Sequence, residues 1–369
     1  MMLESLRIQN FKAVRDSGVV KLGPLTAFIG NNGAGKSSLI EAIETYQAIV
    51  GRGMDEAMQR FMGFEHVQNK FAKLDAPMRF DLRLRGPFGK TRLQMAAGSD
   101  AARNSYAILD EEVDCKNHQI IQSFLEHEQK HFRQRWQQGF SMLGGDVHLM
   151  EYANQIESWQ FLALTPDRMG YPLPQKRTGG RVRLARDGAN IAEFLLELRE
   201  LDRNAMEGII ETMAFVLPYA RDIQPSVTSE LERKAWLQLT EADFKVPGWM
   251  LSTGTLRLLA LLALLRHPNP PPLIVVEEIE NGLDPRSIHL IVEEIRNAVL
   301  DGVTQVIVTT HSPYLLDLLT LEHLVLVERD GKGHPRFLRP ADNENLQRWA
   351  ADFAPGKLYT MGSLGEVQR

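Results

Sequence analysis

A run of eight residues, 30–37, has the composition and spacing of a polyphosphate-binding loop. It reads Gly-Asn-Asn-Gly-Ala-Gly-Lys-Ser, which fits the pattern G-x-x-x-x-G-K-[ST], and it stands between an apolar run and a helical pattern. Glycines let backbone N–H groups curl around an anion, and the N-terminus of the helix adds a partial positive charge. Lys36 would reach the β- and γ-phosphates, and the Ser37 hydroxyl would ligate Mg²⁺. The predicted nucleotide-binding residues are Gly30, Asn31, Asn32, Gly33, Ala34, Gly35, Lys36, Ser37 and Ser38.

Two adjacent carboxylates, Glu277 and Glu278, follow the apolar run Leu273–Val276. Such a run is typical of a buried parallel strand. A carboxylate at the C-terminal end of a strand beside a phosphate loop can anchor Mg²⁺, and the next one can orient or deprotonate the attacking water. We therefore predict a metal role for Glu277 and a catalytic role for Glu278. Acidic residues also end strands without any function. This pattern therefore indicates a catalytic site only in combination with the phosphate loop.

Two further positions could contact a terminal phosphate. Ser252 and Gly254 stand directly before a helical stretch at 256–266, where they could present donors to a phosphate bound elsewhere. Ser252 is equally well placed to act as a plain N-cap of that helix. His311 follows the apolar run 305–308 and is predicted to sense the γ-phosphate, although a lone histidine at a strand end is more often structural.

The elements that must position these residues alternate between strand and helix at both ends of the chain. Periodicity and composition predict strands at 3–8, 25–29, 78–84, 91–95, 105–109, 223–227, 235–239, 273–276 and 305–308. They predict helices at 36–49, 191–201, 206–217 and 256–266, and a projecting polar helix at 126–138. The expected fold class is α/β, a P-loop sheet core with an N-terminal antiparallel β-meander and a helical insertion. The expected divisions are 1–116, 117–160 for the insertion, 161–250, and 251–369.

Composition limits the other classes of function. The chain has 369 residues, 44% hydrophobic, with a formal net charge of −5, so any nucleic-acid surface would be local. Cys115 is the only cysteine, which excludes an internal disulfide framework and a multi-cysteine zinc site. The longest apolar run, 258–265, is far shorter than the roughly 20 residues that cross a bilayer. We expect a cytoplasmic protein that does not span a membrane.

Together these motifs resemble the ABC-type ATPase superfamily, and within it the SMC/RecF/OLD-like branch. Residues 30–37 match its Walker A motif, 251–255 its signature and 273–278 its Walker B motif. Residues 281–285, with Asp284, match the D-loop, and His311 matches the switch histidine. Segments 6–12, 187–192 and 356–365 are also similar to this branch, so the resemblance covers nearly the whole chain.

The resemblance implies ATP and Mg²⁺ as cofactors and a composite site shared between subunits. Since the chain carries one signature and one pair of Walker motifs, it implies a head-to-tail homodimer that ATP closes and hydrolysis reopens. Glu277 replaces the usual aspartate, which predicts slow hydrolysis, and Thr253 and Thr255 depart from the transporter signature. For the Q-loop, Gln59, Gln68 and Gln94 remain equal candidates.

The resemblance favours an ATP-gated switch in DNA maintenance or anti-phage defence. Because the chain has no nuclease signature, it implies a separate effector such as a nuclease. One alternative is the nucleotide-binding subunit of a membrane transporter, against which the 216 positions between Lys36 and Ser252 argue. Another is an interaction module that binds ATP without hydrolysing it.

Two weaker patterns remain. Residues 127–131 read His-Glu-Gln-Lys-His, which fits the zinc motif H-E-x-x-H, but their polar surroundings favour a solvated helix face. A basic loop could contact nucleic-acid phosphates, although such loops are usually only solvated. Its members are Lys176, Arg177, Arg181, Arg183 and Arg186.

Overall fold

The computed structural model describes residues 1–73, 76–86, 89–100, 105–115, 133–136, 138–145, 147–175, 181–229 and 231–365. The chain divides into two compact units. Unit 1 comprises Met1–Trp159 and Leu319–Arg369, and unit 2 comprises Gln160–Leu318. The predicted phosphate loop belongs to unit 1. The predicted carboxylates, signature and switch histidine belong to unit 2.

An antiparallel sheet forms the N-terminal part of unit 1. Strand β1 (Met2–Phe11) pairs with β5 (Met78–Gly86), β5 with β6 (Gly89–Asp100), and β6 with β7 (Ser105–Asp114). The short strands β2 (Val14–Asp16) and β3 (Val20–Lys21) also pair with β1. Every second residue of β5 from Met78 to Leu84 is buried, because alternate side chains of a strand point to one face. The predicted β-meander is confirmed.

Unit 1 also contains the strand that leads into the phosphate loop. Strand β4 (Leu25–Ile29) is buried along its whole length and runs parallel to β15 (Leu324–Arg329), which pairs antiparallel with β16 (Pro335–Leu338). Helix α1 (Lys36–Arg52) follows the loop and buries Leu39, Ile40 and Ile43. The other helices of unit 1 are α2 (Met54–Gln59), α3 (Phe64–Val67), α4 (Met150–Glu157), α10 (Glu344–Trp349), α11 (Pro355–Thr360) and the 3₁₀ turns Leu321–His323 and Pro340–Asp342.

Unit 2 has a parallel core sheet and a second, antiparallel sheet. Strand β13 (Leu273–Val276) pairs in parallel with β14 (Gln305–Thr310) and β8 (Gln160–Leu162), and all four of its residues are buried. The antiparallel sheet consists of β9 (Leu173–Pro174), β10 (Ala220–Val227), β11 (Lys234–Glu241) and β12 (Phe244–Pro247). The helices are α5 (Ile191–Leu201), α6 (Arg203–Val216), α7 (Thr253–Leu265), α8 (Pro285–Leu300), α9 (Pro313–Asp317) and the 3₁₀ turns Pro166–Arg168 and Gly248–Met250.

Capping residues explain where the helices depart from their predicted bounds. Helix α6 begins at Arg203 rather than at 206, because the Asp202 side chain accepts a hydrogen bond from the Ala205 N–H and caps it. Helix α7 likewise begins at Thr253, behind the cap Ser252. The predicted polar helix at 126–138 lies largely outside the described residues, although 133–136 are helical. Among the described residues, no helix has the length and apolar character needed to cross a membrane.

Candidate functional site

The phosphate loop leaves β4 at Gly30 and enters α1 at Lys36, and its backbone requires glycine. Gly30, Gly33 and Gly35 have φ angles of 146°, 74° and 119°, which side-chain-bearing residues rarely adopt. A Cβ atom on Gly30 would lie 2.1 Å from the Val327 carbonyl oxygen, and one on Gly35 would lie 2.6 Å from Cγ of Pro335. The loop therefore runs against β15 and β16 at a distance that only glycine permits.

Lys36 spans the loop. Its Nζ donates hydrogen bonds to the carbonyl oxygens of Gly30, at 2.6 Å, and Asn31, at 3.1 Å. The residue is buried, whereas Ser37 is exposed. The N-cap of α1 is Gly35, which supplies no side-chain cap. No side chain therefore caps the helix end, which carries a partial positive charge and lies beside a buried ammonium group.

Arg329 braces the loop from β15, a role that the sequence did not indicate. Its Nε and Nη2 donate to the Gly33 carbonyl oxygen at 2.9 and 2.7 Å, and its Nη1 donates to Gly333 at 2.8 Å. A carbonyl oxygen held by a guanidinium repels an incoming phosphate less than one left to face it. A cavity of about 550 Å³ lies beside Arg329, lined by Asn31, Asn32 and Tyr359.

The two predicted acidic residues of unit 2 differ in their surroundings. Oε1 of Glu277 accepts a hydrogen bond from Nη2 of Arg186 at 2.6 Å, an ion pair that the sequence did not indicate. Glu278 is exposed and has φ +48°, a left-handed conformation that is strained for a residue with a side chain. Its N–H donates to Oγ1 of Thr309 at 2.8 Å, and its carboxylate accepts from the Asn281 amide. Strain of this kind is common at functional sites.

Contacts between the ends of β13 and β14 position His311, the predicted switch histidine. The Ile279 N–H donates to the Thr309 carbonyl oxygen at 3.2 Å. The His311 N–H donates to Oε1 of Glu280 at 2.6 Å. His311 therefore lies on the same edge of unit 2 as Glu278.

The predicted D-loop and signature meet within unit 2. A Cβ atom on Gly254 would lie 2.4 Å from the Gly282 carbonyl oxygen, and Gly282 itself has φ +71°. Ser252 caps α7, since its Oγ accepts from the Thr255 N–H at 3.1 Å. The structural role of Ser252 is thus confirmed, and its contact with a phosphate stays a prediction.

Asp284 and Arg257 complete this part of unit 2. Asp284 caps α8 by accepting hydrogen bonds from the N–H groups of Arg286 and Ser287. Partial burial raises the pKa of Asp284, but these bonds and one from the Ser287 hydroxyl outweigh it and hold the pKa below its ordinary value. Burial lowers the pKa of the Arg257 guanidinium, against the opposing charges of Glu278 and Glu280. Glu278 and Glu280 therefore have a half-buried cation near them.

Ser37 and Glu277, the predicted metal ligands, each carry oxygen atoms of the kind that Mg²⁺ prefers, since this ion takes one or two carboxylates together with phosphate oxygens and waters. Ser37 offers an exposed hydroxyl in unit 1, and Glu277 offers a carboxylate in unit 2. The described residues contain no group of three or more His, Cys, Asp or Glu side chains that could hold a metal by themselves. Phosphate oxygens would have to supply most of the ligands.

The weaker sequence patterns have the following outcomes. Residues 127–131, with the H-E-x-x-H pattern, and Lys176 and Arg177 lie outside the described residues. Arg186 forms the ion pair with Glu277, and Arg181 contacts Nδ1 of His267 at 3.1 Å. Gln68 donates to two backbone carbonyl oxygens, those of Lys73 and Ala76, as a turn-stabilising residue would.

Known proteins resemble this chain in sequence and in fold. The family model described as "AAA domain, putative AbiEii toxin, Type IV TA system" matches residues 117–317, more than half of the chain, and the model described as "AAA ATPase domain" matches residues 1–75. The Nod factor export ATP-binding protein I of Sinorhizobium fredii (strain NBRC 101917 / NGR234) is 29% identical over 175 residues. This match covers 46% of each protein, so the chain spans less than half the length of that relative.

Two solved structures share the fold. One is an SMC head bound to the C-winged helix domain of ScpA, with a TM-score of 0.58 and 13% identity over 92% of this chain and 97% of that chain. The other is an SMC head with an extended coiled coil, bound to the C-terminal domain of ScpA derived from Pyrococcus furiosus. Its TM-score is 0.53, with 12% identity over 95% of this chain and 99% of that chain. The predicted α/β fold class is confirmed. By the match over residues 117–317, the chain belongs to this family of AAA ATPase domains, and its fold is the P-loop NTPase fold of an SMC head.

Proposed function

We propose that this chain binds ATP with Mg²⁺, hydrolyses it slowly, and acts as a dimeric switch. The observation that carries the proposal is the conformation of the phosphate loop. Three glycines with positive φ lead into an uncapped helix N-terminus, and the buried Lys36 ammonium lies across the loop. This combination is specific for a polyphosphate, because it joins oriented N–H donors to a cation that has lost most of its hydration.

In this proposal Glu278 accepts the proton of the attacking water. Its exposed carboxylate is oriented by Asn281, and its backbone is held by Thr309. His311 contacts the γ-phosphate, and its backbone is held by Glu280. Ser37 and Glu277 would hold Mg²⁺, which would supply positive charge against the phosphate oxygens. Glu277 in place of the usual aspartate is the reason for slow turnover.

The dimer follows from the order of the motifs. Each chain carries one phosphate loop and one signature, so two copies would place Ser252 and Gly254 of one protomer over the nucleotide of the other. Ser252 is exposed at the start of α7, and Gly254 allows that helix to touch the D-loop backbone. Closure on ATP and reopening on hydrolysis would then transmit a signal.

The biological role that fits best is anti-phage defence or DNA maintenance with a separate effector such as a nuclease. The matched family is described by a toxin of a type IV TA system, which favours defence. The similar SMC heads were solved with ScpA domains bound, which favours a protein partner for this chain as well.

Phosphate release tests the proposal directly. We expect Mg²⁺-dependent turnover by the native protein, its loss in Lys36→Ala, and no loss in Lys332→Ala, which removes an exposed lysine from the same unit. Glu278→Gln should keep ATP binding and lower turnover by about 10²-fold or more, the usual contribution of a general base. Native protein that binds ATP without releasing phosphate would favour the non-hydrolysing module instead.

A transporter subunit is the second candidate, because the similar protein of Sinorhizobium fredii is named as an export ATP-binding protein. The 216 positions between Lys36 and Ser252 argue against it, because transporter subunits keep this interval much shorter. Recovery of a membrane protein in stoichiometric complex with the native chain would favour the transporter reading. Recovery of the chain as a homodimer alone would favour the switch.

A further inference from the structure

We propose that Arg186 is a positioning residue that occupies the Glu277 carboxylate until a divalent cation displaces it. The inference rests on the proposed function, and it concerns how the same site is regulated. Nη2 of Arg186 donates to Oε1 of Glu277 at 2.6 Å, so the carboxylate offered to Mg²⁺ already has a cationic partner. The Glu277 side chain is 17% exposed and that of Arg186 is 42% exposed. A carboxylate this buried needs a counter-charge, which explains why a cation stands there.

The backbone fixes both partners to the same segment. The Glu277 N–H donates to the Leu162 carbonyl oxygen at 2.9 Å. The next residue along, Ala163, donates its N–H to the Arg186 carbonyl oxygen at 2.8 Å. The end of β8 therefore holds the backbones of Arg186 and Glu277 side by side. The backbone of unit 2 therefore favours the pairing of these two side chains.

The loop that carries Arg186 is itself braced. Asn190 accepts from the Ala185 N–H at 2.7 Å and donates to the Arg183 carbonyl oxygen at 2.9 Å. The Thr165 N–H donates to the Asp187 carbonyl oxygen at 3.0 Å, and Arg168 pairs with the Asp187 carboxylate at 2.8 Å. These contacts fix the backbone on both sides of Arg186, from which the guanidinium reaches Glu277. The segment 187–192, noted in the sequence only by resemblance, thereby gains a physical role.

Glutamate rather than aspartate at position 277 fits this arrangement. The extra methylene extends the carboxylate toward Arg186, whereas an aspartate on the same backbone would end about 1.5 Å short. The metal ion and the Arg186 guanidinium then compete for Oε1 of Glu277. Binding of the metal therefore releases the arginine. The predicted consequence is a metal affinity lower than the carboxylate alone would give.

Metal affinity measured apart from turnover tests the proposal. The probe is Mn²⁺, followed by electron paramagnetic resonance in the presence of a non-hydrolysable ATP analogue and the full-length protein. We expect Arg186→Gln to bind Mn²⁺ about tenfold more tightly than the native protein, as when one charge-assisted hydrogen bond no longer competes. Arg186→Lys, which keeps the charge but not the planar fork, should fall between the two.

Arg203→Gln is the matched control. It removes the same charge from the same unit, where Arg203 pairs with Glu207 at 3.0 Å and its side chain is 84% exposed, and it should leave Mn²⁺ affinity unchanged. In a Glu277→Asp background, Arg186→Gln should change Mn²⁺ affinity by less than about twofold, because the competing contact is already lost. Circular dichroism of each variant confirms that it folds.

Unchanged or weaker Mn²⁺ binding by folded Arg186→Gln would overturn the proposal, since a purely structural arginine does not compete with metal. An equal effect of Arg203→Gln would overturn it as well. A failure of the proposed function would give a different result, because the native protein itself would then not bind the ATP analogue. Native binding that Lys36→Ala abolishes, together with an unaltered Arg186→Gln, would leave the ATPase assignment intact and remove only the role of Arg186.

Discussion

Glu111 of β7 gives a prediction whose size can be worked out from the structure. The residue is 5% exposed and accepts hydrogen bonds from Oγ of Ser141, the Met142 N–H and Nε1 of Trp136 at 2.5, 2.7 and 3.0 Å. Burial raises its pKa from 4.5 to about 7, against the opposing effect of these bonds and of Arg135. The carboxyl thus joins β7 to the segment that contains Trp136, Ser141 and Met142.

The direction in which pH changes the contribution of Glu111 to stability follows from the linkage between protonation and folding. The folded protein holds the Glu111 proton at pH values where the unfolded chain has released it, so this group stabilises the fold fully below about pH 4.5. Its contribution is lost as the pH rises toward about 7. At about 1.4 kcal/mol per pKa unit, the total loss is about 3 kcal/mol.

Glu111→Gln is the test. Glutamine cannot ionise, so the free energy of unfolding of the variant relative to the native protein should rise by about 2–3 kcal/mol between pH 5 and 8. At pH 5 the variant should be less stable by about 1 kcal/mol, because the amide satisfies the three donors less well.

Urea unfolding followed by circular dichroism across this pH range measures the difference. The control is Glu112→Gln, an exposed neighbour on the same strand, whose difference from the native protein should stay flat. Parallel stability curves for native protein and Glu111→Gln would refute the reasoning, since they would mean that Glu111 titrates alike in the folded and unfolded chains.

Three further predictions concern the loop and the signature. Gly30→Ala should abolish ATP binding in an equilibrium assay, because its Cβ would lie 2.1 Å from a backbone oxygen; near-native affinity would contradict the loop geometry. Arg329→Lys should weaken ATP binding about tenfold, because lysine cannot donate two parallel hydrogen bonds to the Gly33 carbonyl oxygen. Unaltered affinity would show that Arg329 has no role in ATP binding. Ser252→Ala and Asp202→Ala should each cost about 1 kcal/mol of stability as lost caps, but only Ser252→Ala should also impair ATP-dependent dimerisation; equal dimerisation would make Ser252 a cap alone.

The sequence was most informative where the chemistry is local. Residues 30–37 act through their own backbone and the helix that they begin, so their spacing alone predicts the loop. The same holds for β4 and β13, whose short and largely apolar runs are typical of buried strands, and for the alternating β5. Pattern and position sufficed for these elements.

The sequence does not predict contacts between segments that lie far apart along the chain. Arg329 is 296 positions from Gly33, and Arg186 is 91 positions from Glu277, so no periodicity connects them. The sequence predicts only a basic, solvated loop for Arg186, because a charged residue in a sequence gives no sign of a distant ionic partner. Only the fold shows that this arginine balances a half-buried carboxylate.

The most direct measurement is the sedimentation of Glu278→Gln with saturating ATP and Mg²⁺. If two chains enclose the nucleotide and each completes the site of the other, this variant should sediment as a stable dimer, and Lys36→Ala/Glu278→Gln should sediment as a monomer under the same conditions. A Glu278→Gln protein that is saturated with ATP and still monomeric would contradict the account.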